Sequence, residues 1–271
     1  MAKLSVESLL IKANSHAKRG EISEAQKQYQ AVLLAFPQNI RAQQGLDALN
    51  KPIPNKEIID QLVSLYNQGQ HLAVVEQAKT LTLKYPEVFV FWNILGAASM
   101  GLGQVEGALK AFKNVIRLNP KYADGFNNLG TIQRLQGKLD EALESFKKAL
   151  LLKPDYAEAY YNIGLTLKDQ GKLDDAIDSY KKSIFFKPNN AEAHNNMCKA
   201  FLDQGKSEKA IEALNKALSL KPDYAEAYNN MGNALKYEVG IKEAIEAYNM
   251  ALKIRPGYVE AYNNIGNALQ Q

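Results

Sequence analysis

The fold is decided by residues 221–258, KPDYAEAYNNMGNALKYEVGIKEAIEAYNMALKIRPGY, because the pattern of this stretch can be laid over the neighbouring chain without a gap. Prolines recur every 34 residues, at Pro86, Pro120, Pro154, Pro188, Pro222 and Pro256. A fixed period of this length indicates repeated structural units that stack on one another, and it argues against a single globular core.

The repeats span residues 55–88, 89–122, 123–156, 157–190, 191–224 and 225–258, and residues 259–271 match only the first helix of a further repeat. We number the positions within each repeat from 1 to 34. After the first repeat, position 8 is a small residue, namely Gly96, Gly130, Gly164, Cys198, Gly232 and Gly266. Glycine follows at or next to position 15, and alanine at position 20.

Apolar or small residues occupy positions 4, 8, 11, 20, 24 and 27 of a repeat. This spacing predicts two amphipathic helices, each with one apolar stripe. One stripe per helix buries too little apolar surface to offset the conformational entropy that one repeat loses on ordering. Each repeat must therefore be stabilised by stacking on its neighbours.

The motif Tyr-Asn-Asn-Met-Gly…Gly…Glu-Ala…Tyr…Ala-Leu…Pro resembles the tetratricopeptide repeat (TPR), a helix-turn-helix of 34 residues. The resemblance covers nearly the whole chain. It implies an all-α fold, an α-solenoid in which stacked tetratricopeptide helix-turn-helix repeats form a right-handed superhelix. The regular repeats are similar to the bacterial type that precedes glycosyltransferases related to O-linked N-acetylglucosamine transferase, or sulfotransferases.

Residues 1–54 do not keep the register of the repeats. A weaker repeat over residues 6–39 is followed by the helical stretch RAQQGLDALN and by Lys-Pro-Ile-Pro, which must be extended because a residue before proline avoids the helical region. We expect residues 1–54 to form an N-terminal cap, a degenerate TPR module with a short extra helix and a proline linker. Residues 55–271 then comprise six repeats and a terminal single helix.

Composition and charge exclude several classes of protein. Cys198 is the single cysteine, so an intramolecular disulfide is impossible and a reducing compartment is favoured. The N-terminus lacks the apolar core of a signal peptide, and no segment approaches a membrane span, which favours a cytoplasmic protein without membrane insertion. The net charge of +4 reflects lysines near the ends of second helices, where they complement the helix dipole, so we expect no nucleic-acid partner.

The sequence contains no recognisable catalytic or metal-binding constellation. The three histidines, His16, His71 and His194, lie in different repeats, and Cys198 replaces a packing glycine. We find no nucleophile with a base, no metal-ligand spacing and no cofactor motif. We therefore expect a chain that is not an enzyme and needs no cofactor.

Position 6 of the first helix predicts a binding surface. Positions 2, 6, 9 and 13 lie opposite the packing stripe, and in the concave arrangement that the resemblance implies they face a groove. Position 6 is asparagine in five consecutive repeats: Asn128, Asn162, Asn196, Asn230 and Asn264. A carboxamide supplies both a donor and an acceptor for one peptide unit, so the row resembles the asparagine ladder of O-linked N-acetylglucosamine transferases. It would hold the backbone of an extended peptide.

The predicted peptide-binding site also takes residues from neighbouring positions. Position 9 contributes Lys199, Asn233 and Asn267, and position 12 contributes Arg134 and Lys168. Asparagine recurs at position 5 as well, but that position points toward a neighbouring helix, which favours a structural role. Acidic residues recur at position 2, and no lysine occupies position 5, so the family's recognition of acidic C-terminal tails is disfavoured.

Three functions fit these patterns. The first is a non-catalytic scaffold for protein–protein interaction, which binds an extended or helical peptide segment in its concave groove through the asparagine ladder. The second is the substrate-recognition region of a larger glycosyltransferase or sulfotransferase that continues beyond residue 271. The third is self-assembly into a homo-oligomer through the last helix, where Tyr262, Gly266 and Leu269 form a packing stripe.

Overall fold

The computed structural model describes residues 5–50 and 54–270, apart from the side chains of Asn50 and Tyr237. Within these residues the chain forms sixteen helices and no strand, which confirms the predicted all-α fold. No helix in the described part of the chain is long and apolar enough to cross a membrane. The chain divides into two compact units, residues 1–60 and 61–271.

The helices follow one another with short connections. They are α1 Val6–Lys18, α2 Ile22–Ala35, α3 Ile40–Asn50, α4 Lys56–Asn67, α5 His71–Lys84, α6 Phe89–Gly101, α7 Val105–Leu118, α8 Ala123–Leu135, α9 Leu139–Leu152, α10 Ala157–Asp169, α11 Leu173–Phe186, α12 Ala191–Asp203, α13 Ser207–Leu220, α14 Ala225–Glu238, α15 Ile241–Ile254 and α16 Val259–Leu269. From α4 onward, even-numbered helices are the first helices of repeats and odd-numbered helices are the second.

The first unit has a small core of its own. Helix α3 packs on both α1 and α2. Leu10, Ala13, Tyr29 and Val32 are buried together with Ala42 of α3. The unit ends at Asp60, inside α4. The predicted proline linker lies outside the described residues except for Pro54, and the domain boundary at residue 54 stays a prediction.

In the second unit, every helix from α5 to α16 packs on the next one in sequence. Glycines with positive φ make the turns between the two helices of a repeat, as at Gly137 (φ +76°) and Gly171 (φ +75°), where a side chain would strain the backbone. First helices also contact the first helices of adjacent repeats, whereas second helices make no comparable contacts with one another in the described part of the chain. The first helices therefore form the more closely spaced layer of the stack.

Positions 8 and 24 hold the two helices of a repeat together. In four repeats, a glycine at position 8 faces an aromatic ring at position 24: Gly96 with Phe112, Gly130 with Phe146, Gly164 with Tyr180 and Gly232 with Tyr248. A Cβ atom at Gly164 would lie 2.6 Å from Cε1 of Tyr180, which is fully buried. In the remaining complete repeats the sizes compensate, with Cys198 and Leu214 in one and Leu62 and Ala78 in the other. The volume of the pair is thus conserved, as close packing requires.

The last helix exposes much of its predicted packing stripe. The side chains of Tyr262 and Leu269 are 56% and 70% exposed. Self-association through α16 stays a prediction.

Two substitutions at position 8 test this packing. We expect Gly164→Ala to destabilise the protein by about 1–3 kcal/mol, because the added methyl group overlaps a buried ring. Gly266→Ala is the matched control at the same position, where a Cβ atom meets nothing within 4 Å. It should stabilise α16 by up to about 1 kcal/mol, because alanine is the better helix former. Thermal unfolding followed by circular dichroism measures both, and equal shifts would contradict the packing argument.

Candidate functional site

The position-6 asparagines lie at the contacts between neighbouring first helices. Nδ2 of Asn162 donates to Oδ1 of Asn127 at 3.0 Å, and Nδ2 of Asn230 donates to Oδ1 of Asn195 at 2.9 Å. The side chains of Asn162 and Asn230 are only 9% and 5% exposed. The prediction that these two present free carboxamides to a groove is therefore wrong, because their amide groups already bond the preceding helix.

The other members of the predicted ladder differ from one another. Asn264 donates to Oδ1 of Asn229 at 2.9 Å and is partly buried. Nδ2 of Asn196 donates to the hydroxyl of Tyr161 and to the backbone oxygen of Glu192, both at 2.9 Å. Asn128 is partly buried, and its side chain has no hydrogen-bond partner within the described residues. The five asparagines thus form no uniform row of open groups.

Asparagine at position 5 completes a recurring polar contact, which we name the asparagine clasp. It consists of a buried position-5 asparagine that accepts from position 6 of the next repeat and donates to the carboxylate at position 2 of that repeat. The donor bonds run from Asn127 to Glu158 at 3.5 Å, from Asn195 to Glu226 at 3.5 Å and from Asn229 to Glu260 at 3.2 Å. Each clasp satisfies groups that would otherwise be buried without partners between two first helices.

The sequence indicated a structural role for position 5 but not the partners of its asparagines. The signal was available, since Asn-Asn at positions 5 and 6 recurs together with an acidic residue at position 2. The position-2 carboxylates also take part in other contacts between repeats. Glu226, for example, lies next to the hydroxyl of Tyr224, and that hydroxyl accepts a hydrogen bond from Nδ2 of Asn195 at 3.2 Å. Burial, followed by the charge of Glu226, raises the pKa of Tyr224, which stays protonated and can donate.

An open cavity of about 690 Å³ lies on the first-helix side of the second unit. Four of the predicted peptide-binding residues line it, namely Lys168, Lys199, Asn230 and Asn233, and the carboxylates of Asp203 and Glu260 lie beside them. These residues come from α10, α12, α14 and α16. The surface of four neighbouring first helices is therefore concave at this point and carries charged and amide groups.

The polar groups of this cavity are not equally engaged. Lys199 forms an ion pair with Glu226. Oδ1 of Asn233 accepts a hydrogen bond from the hydroxyl of Tyr248 at 2.8 Å, which orients the carboxamide. Lys168 has no ion-pair partner among the residues that the structure describes. The cavity thus offers an ammonium group and an amide N–H group to a ligand.

The remaining predicted residues lie outside this cavity. Arg134 forms an ion pair with Asp169 at 2.7 Å, across the contact between α8 and α10. Asn267 is exposed on α16. Asn128, Asn162, Asn196 and Asn264 do not line the cavity either.

The cysteine lies in the core of its repeat. The side chain of Cys198 is fully buried against Ala210, Leu214 and neighbouring residues. Burial raises the pKa of its thiol to about 12, and the nearby charge of Lys199 lowers it by a smaller amount. Below that pH the thiol holds its proton and is a poor nucleophile.

The clasp predicts a stability difference between two asparagines at position 6. Asn162→Ala should destabilise the protein by about 1–3 kcal/mol, because it leaves the buried Oδ1 of Asn127 without its donor. Asn128→Ala is the matched control one repeat earlier and should change stability by less than about 0.5 kcal/mol. Urea unfolding midpoints compare the two, and an equal loss would show that the clasp is not stabilising.

A second prediction concerns thiol labelling. At pH 8 the native chain should react with iodoacetamide far more slowly than the urea-unfolded chain, because burial both blocks Cys198 and suppresses its thiolate. Mass spectrometry of the alkylated chain gives the two rates. Native labelling as fast as that of the unfolded chain would place the thiol at the surface.

Comparisons with known proteins agree with this architecture. The family model described as TPR repeat matches residues 96–133, 131–171, 164–205, 199–236 and 241–271. No curated protein matches the sequence.

Solved structures with the same fold include three that span most of their own chains. MamA is 28% identical, covers 61% of this chain and 97% of its own, and gives a TM-score of 0.54. A tetratricopeptide repeat protein from Parabacteroides merdae is 15% identical over 97% of this chain and 98% of its own, with a TM-score of 0.63. YrrB, described as a TPR protein with an unusual peptide-binding site, is 18% identical over 70% and 97%, with a TM-score of 0.54.

The matches to the repeat model extend over more than half of the sequence, and they lie within the helices of the second unit from α6 onward. The chain belongs to the TPR repeat family.

Proposed function

We propose that the chain is a non-catalytic scaffold whose second unit binds an extended segment of a partner protein along its first helices. The observation that supports this most directly is the cavity that brings Lys168, Lys199, Asn230 and Asn233 together. Its volume of about 690 Å³ lies in the range of ligand-binding pockets.

The groups around the cavity suit a peptide backbone. A peptide unit presents one N–H donor and one carbonyl acceptor. The amide of Asn233 can donate to a carbonyl, because the Tyr248 hydroxyl already bonds its oxygen and so fixes which end faces the ligand. The carboxylate of Asp203, which also lines the cavity, can accept from a peptide N–H. Positions 9, 12 and 13 thus take the role that sequence reasoning assigned to position 6.

Lys168 should give the first-helix site a preference for acidic segments. An ammonium group without an ion-pair partner in the described residues would bind an acidic side chain, or a backbone carbonyl, of the segment. Lys199 is held by Glu226 and contributes less, because a ligand would have to replace that ion pair. Binding should therefore weaken as salt rises.

The comparison with YrrB shows the fold only, but the description of that protein establishes that a TPR chain can carry a peptide-binding site. The proposed scaffold role also fits the chemistry of this chain, since its thiol is buried and its histidines lie in α1, α5 and α12. The same surface could serve as the substrate-recognition region of a larger enzyme, since both roles require the same peptide contacts.

Peptide selection followed by directed substitution tests the proposal. Random 16-residue peptides displayed on phage are selected on the full chain, and their affinities are measured by fluorescence anisotropy. The double variant Lys168→Ala, Asn233→Asp should weaken binding by roughly 10-fold or more, because it removes an ammonium group and an amide donor. Aspartate at position 233 keeps the acceptor for Tyr248, so the fold is preserved.

Asn267→Asp is the matched control, because it makes the same change at position 9 of the next first helix, outside the cavity. It should leave affinity within about twofold. If no selected peptide loses affinity for the double variant, the first-helix surface is not the binding site.

A further inference from the structure

A second concave surface lies on the opposite side of α12. Positions 9, 12 and 13 of this helix line the cavity described above, whereas His194, Met197 and Phe201, at positions 4, 7 and 11, line a groove between α11 and α13. These two sets of positions point about 180° apart on a helix. The groove has a volume of about 560 Å³ and is formed by the second helices of two repeats.

Position 4 carries a smaller ring in this groove than in the other repeats that have an aromatic residue there. The equivalent residue is Phe126, Tyr160 or Tyr228 in other repeats, and the ring of Tyr160 stacks on Phe186 at 5.6 Å between ring centres. The imidazole of His194 is smaller and leaves space above the apolar floor. Its Nδ1 is buried and has no hydrogen-bond partner among the described residues, so no polar contact of that nitrogen accounts for histidine at this position.

Lysines surround this floor. Lys181 lies on the α11 side, and Lys209 and Lys216 lie on the α13 side, whereas Glu212 is the single carboxylate among the lining residues. Lys181 is paired with Asp178 at 3.2 Å, but Lys209 and Lys216 have no ion-pair partner in the part of the chain that the structure describes. Burial, and then the charge of Lys216, lowers the pKa of His194, so the imidazole is neutral at pH 7 and acts as a hydrogen-bonding group.

We propose that this groove binds an acidic segment of a partner protein, with a bulky apolar side chain against Met197 and Phe201 and carboxylates against Lys209 and Lys216. The site lies on the opposite face from the proposed first-helix site and does not depend on it. It would let the chain hold two partners, or two segments of one partner, at the same time.

Charge and shape favour this occupant over two others. A second copy of the chain that used the same groove would place lysines against lysines, which is unfavourable. A membrane surface would not reach an apolar floor that lies below two helices. The equivalent cavity between α5 and α7 is lined by two lysines, Lys79 and Lys110, and one carboxylate, Glu106. The groove at α12 has three lysines, and one of them, Lys209, takes the position of Gly107 in that cavity.

The test uses random 12-residue peptides displayed on phage. They are selected for binding to a variant chain that carries Lys168→Ala and Asn233→Asp, which weaken the first-helix site. We expect the enriched peptides to carry two or more acidic residues next to a phenylalanine, leucine or tryptophan. Labelled with fluorescein, they should bind the double variant Lys209→Glu, Lys216→Glu at least 10-fold more weakly, because two attractive contacts become repulsive.

Two further variants separate the site from general effects of charge and folding. His194→Tyr restores the ring found at Tyr160 and Tyr228, so it should reduce affinity at least 10-fold without lowering the melting temperature. Lys147→Glu, Lys148→Glu makes the same charge change on α9, where Lys148 is the equivalent of Lys216 two repeats earlier, and should leave affinity within twofold. In NMR spectra of a chain that keeps all three histidines, the imidazole signals of His194 should shift on peptide addition. The signals of His16 and His71 should not shift.

Three outcomes would overturn the proposal: no enrichment, enriched peptides without acidic residues, or affinity unchanged by the α13 variant or by His194→Tyr. Failure of this proposal can be distinguished from failure of the proposed function. Peptides that bind the first-helix site should bind the Lys168 and Asn233 variant more weakly, but they should bind the Lys209 and Lys216 variant with unchanged affinity.

Discussion

The second unit depends on the close approach of the two helices within each repeat. A ring at position 24, such as Tyr180, occupies the space that a side chain at position 8 would need, so the glycine there lets the helices pack closely. In one repeat the smaller Leu214 at position 24 leaves room for Cys198 at position 8. In another, the larger Leu62 at position 8 is matched by the small Ala78 at position 24. The pair keeps its volume while its residues change, which is how a repeat can vary without losing its geometry.

Contacts between successive first helices include a recurring set of polar side chains. The asparagine clasp sets carboxamides and a carboxylate between successive first helices, as at Asn195, Glu226 and Asn230. Hydrogen bonds between buried groups are directional, and leaving one partner out is costly, so the clasp fixes the register of one first helix against the next. The first-helix layer is thus held together by its own polar side chains, and the amide groups of the clasp asparagines already have partners within it.

This arrangement places the two candidate binding surfaces on opposite faces of the same helix. On α12, Lys199 belongs to the cavity on the first-helix side, whereas His194 belongs to the groove between second helices. Both surfaces have unpaired lysines among the described residues, but their floors differ. The first-helix cavity is lined by amide and carboxylate groups suited to a peptide backbone, whereas Met197 and Phe201 in the groove suit an apolar side chain. Two chemically distinct sites on one repeat would give a scaffold two kinds of partner.

The sequence by itself determined the repeat length, the helix pairs, the family and the small residue at position 8, because these depend on local periodicity. It also identified the first-helix positions, such as Lys168 and Asn233, that line the cavity. Only the tertiary structure decided the role of the asparagines at position 6, because helical geometry gives the direction of a side chain but not the distance to the next helix. Neighbouring first helices lie close enough for the amide of Asn162 to bond Asn127 at 3.0 Å, and this contact turns a predicted ligand-binding group into a structural one.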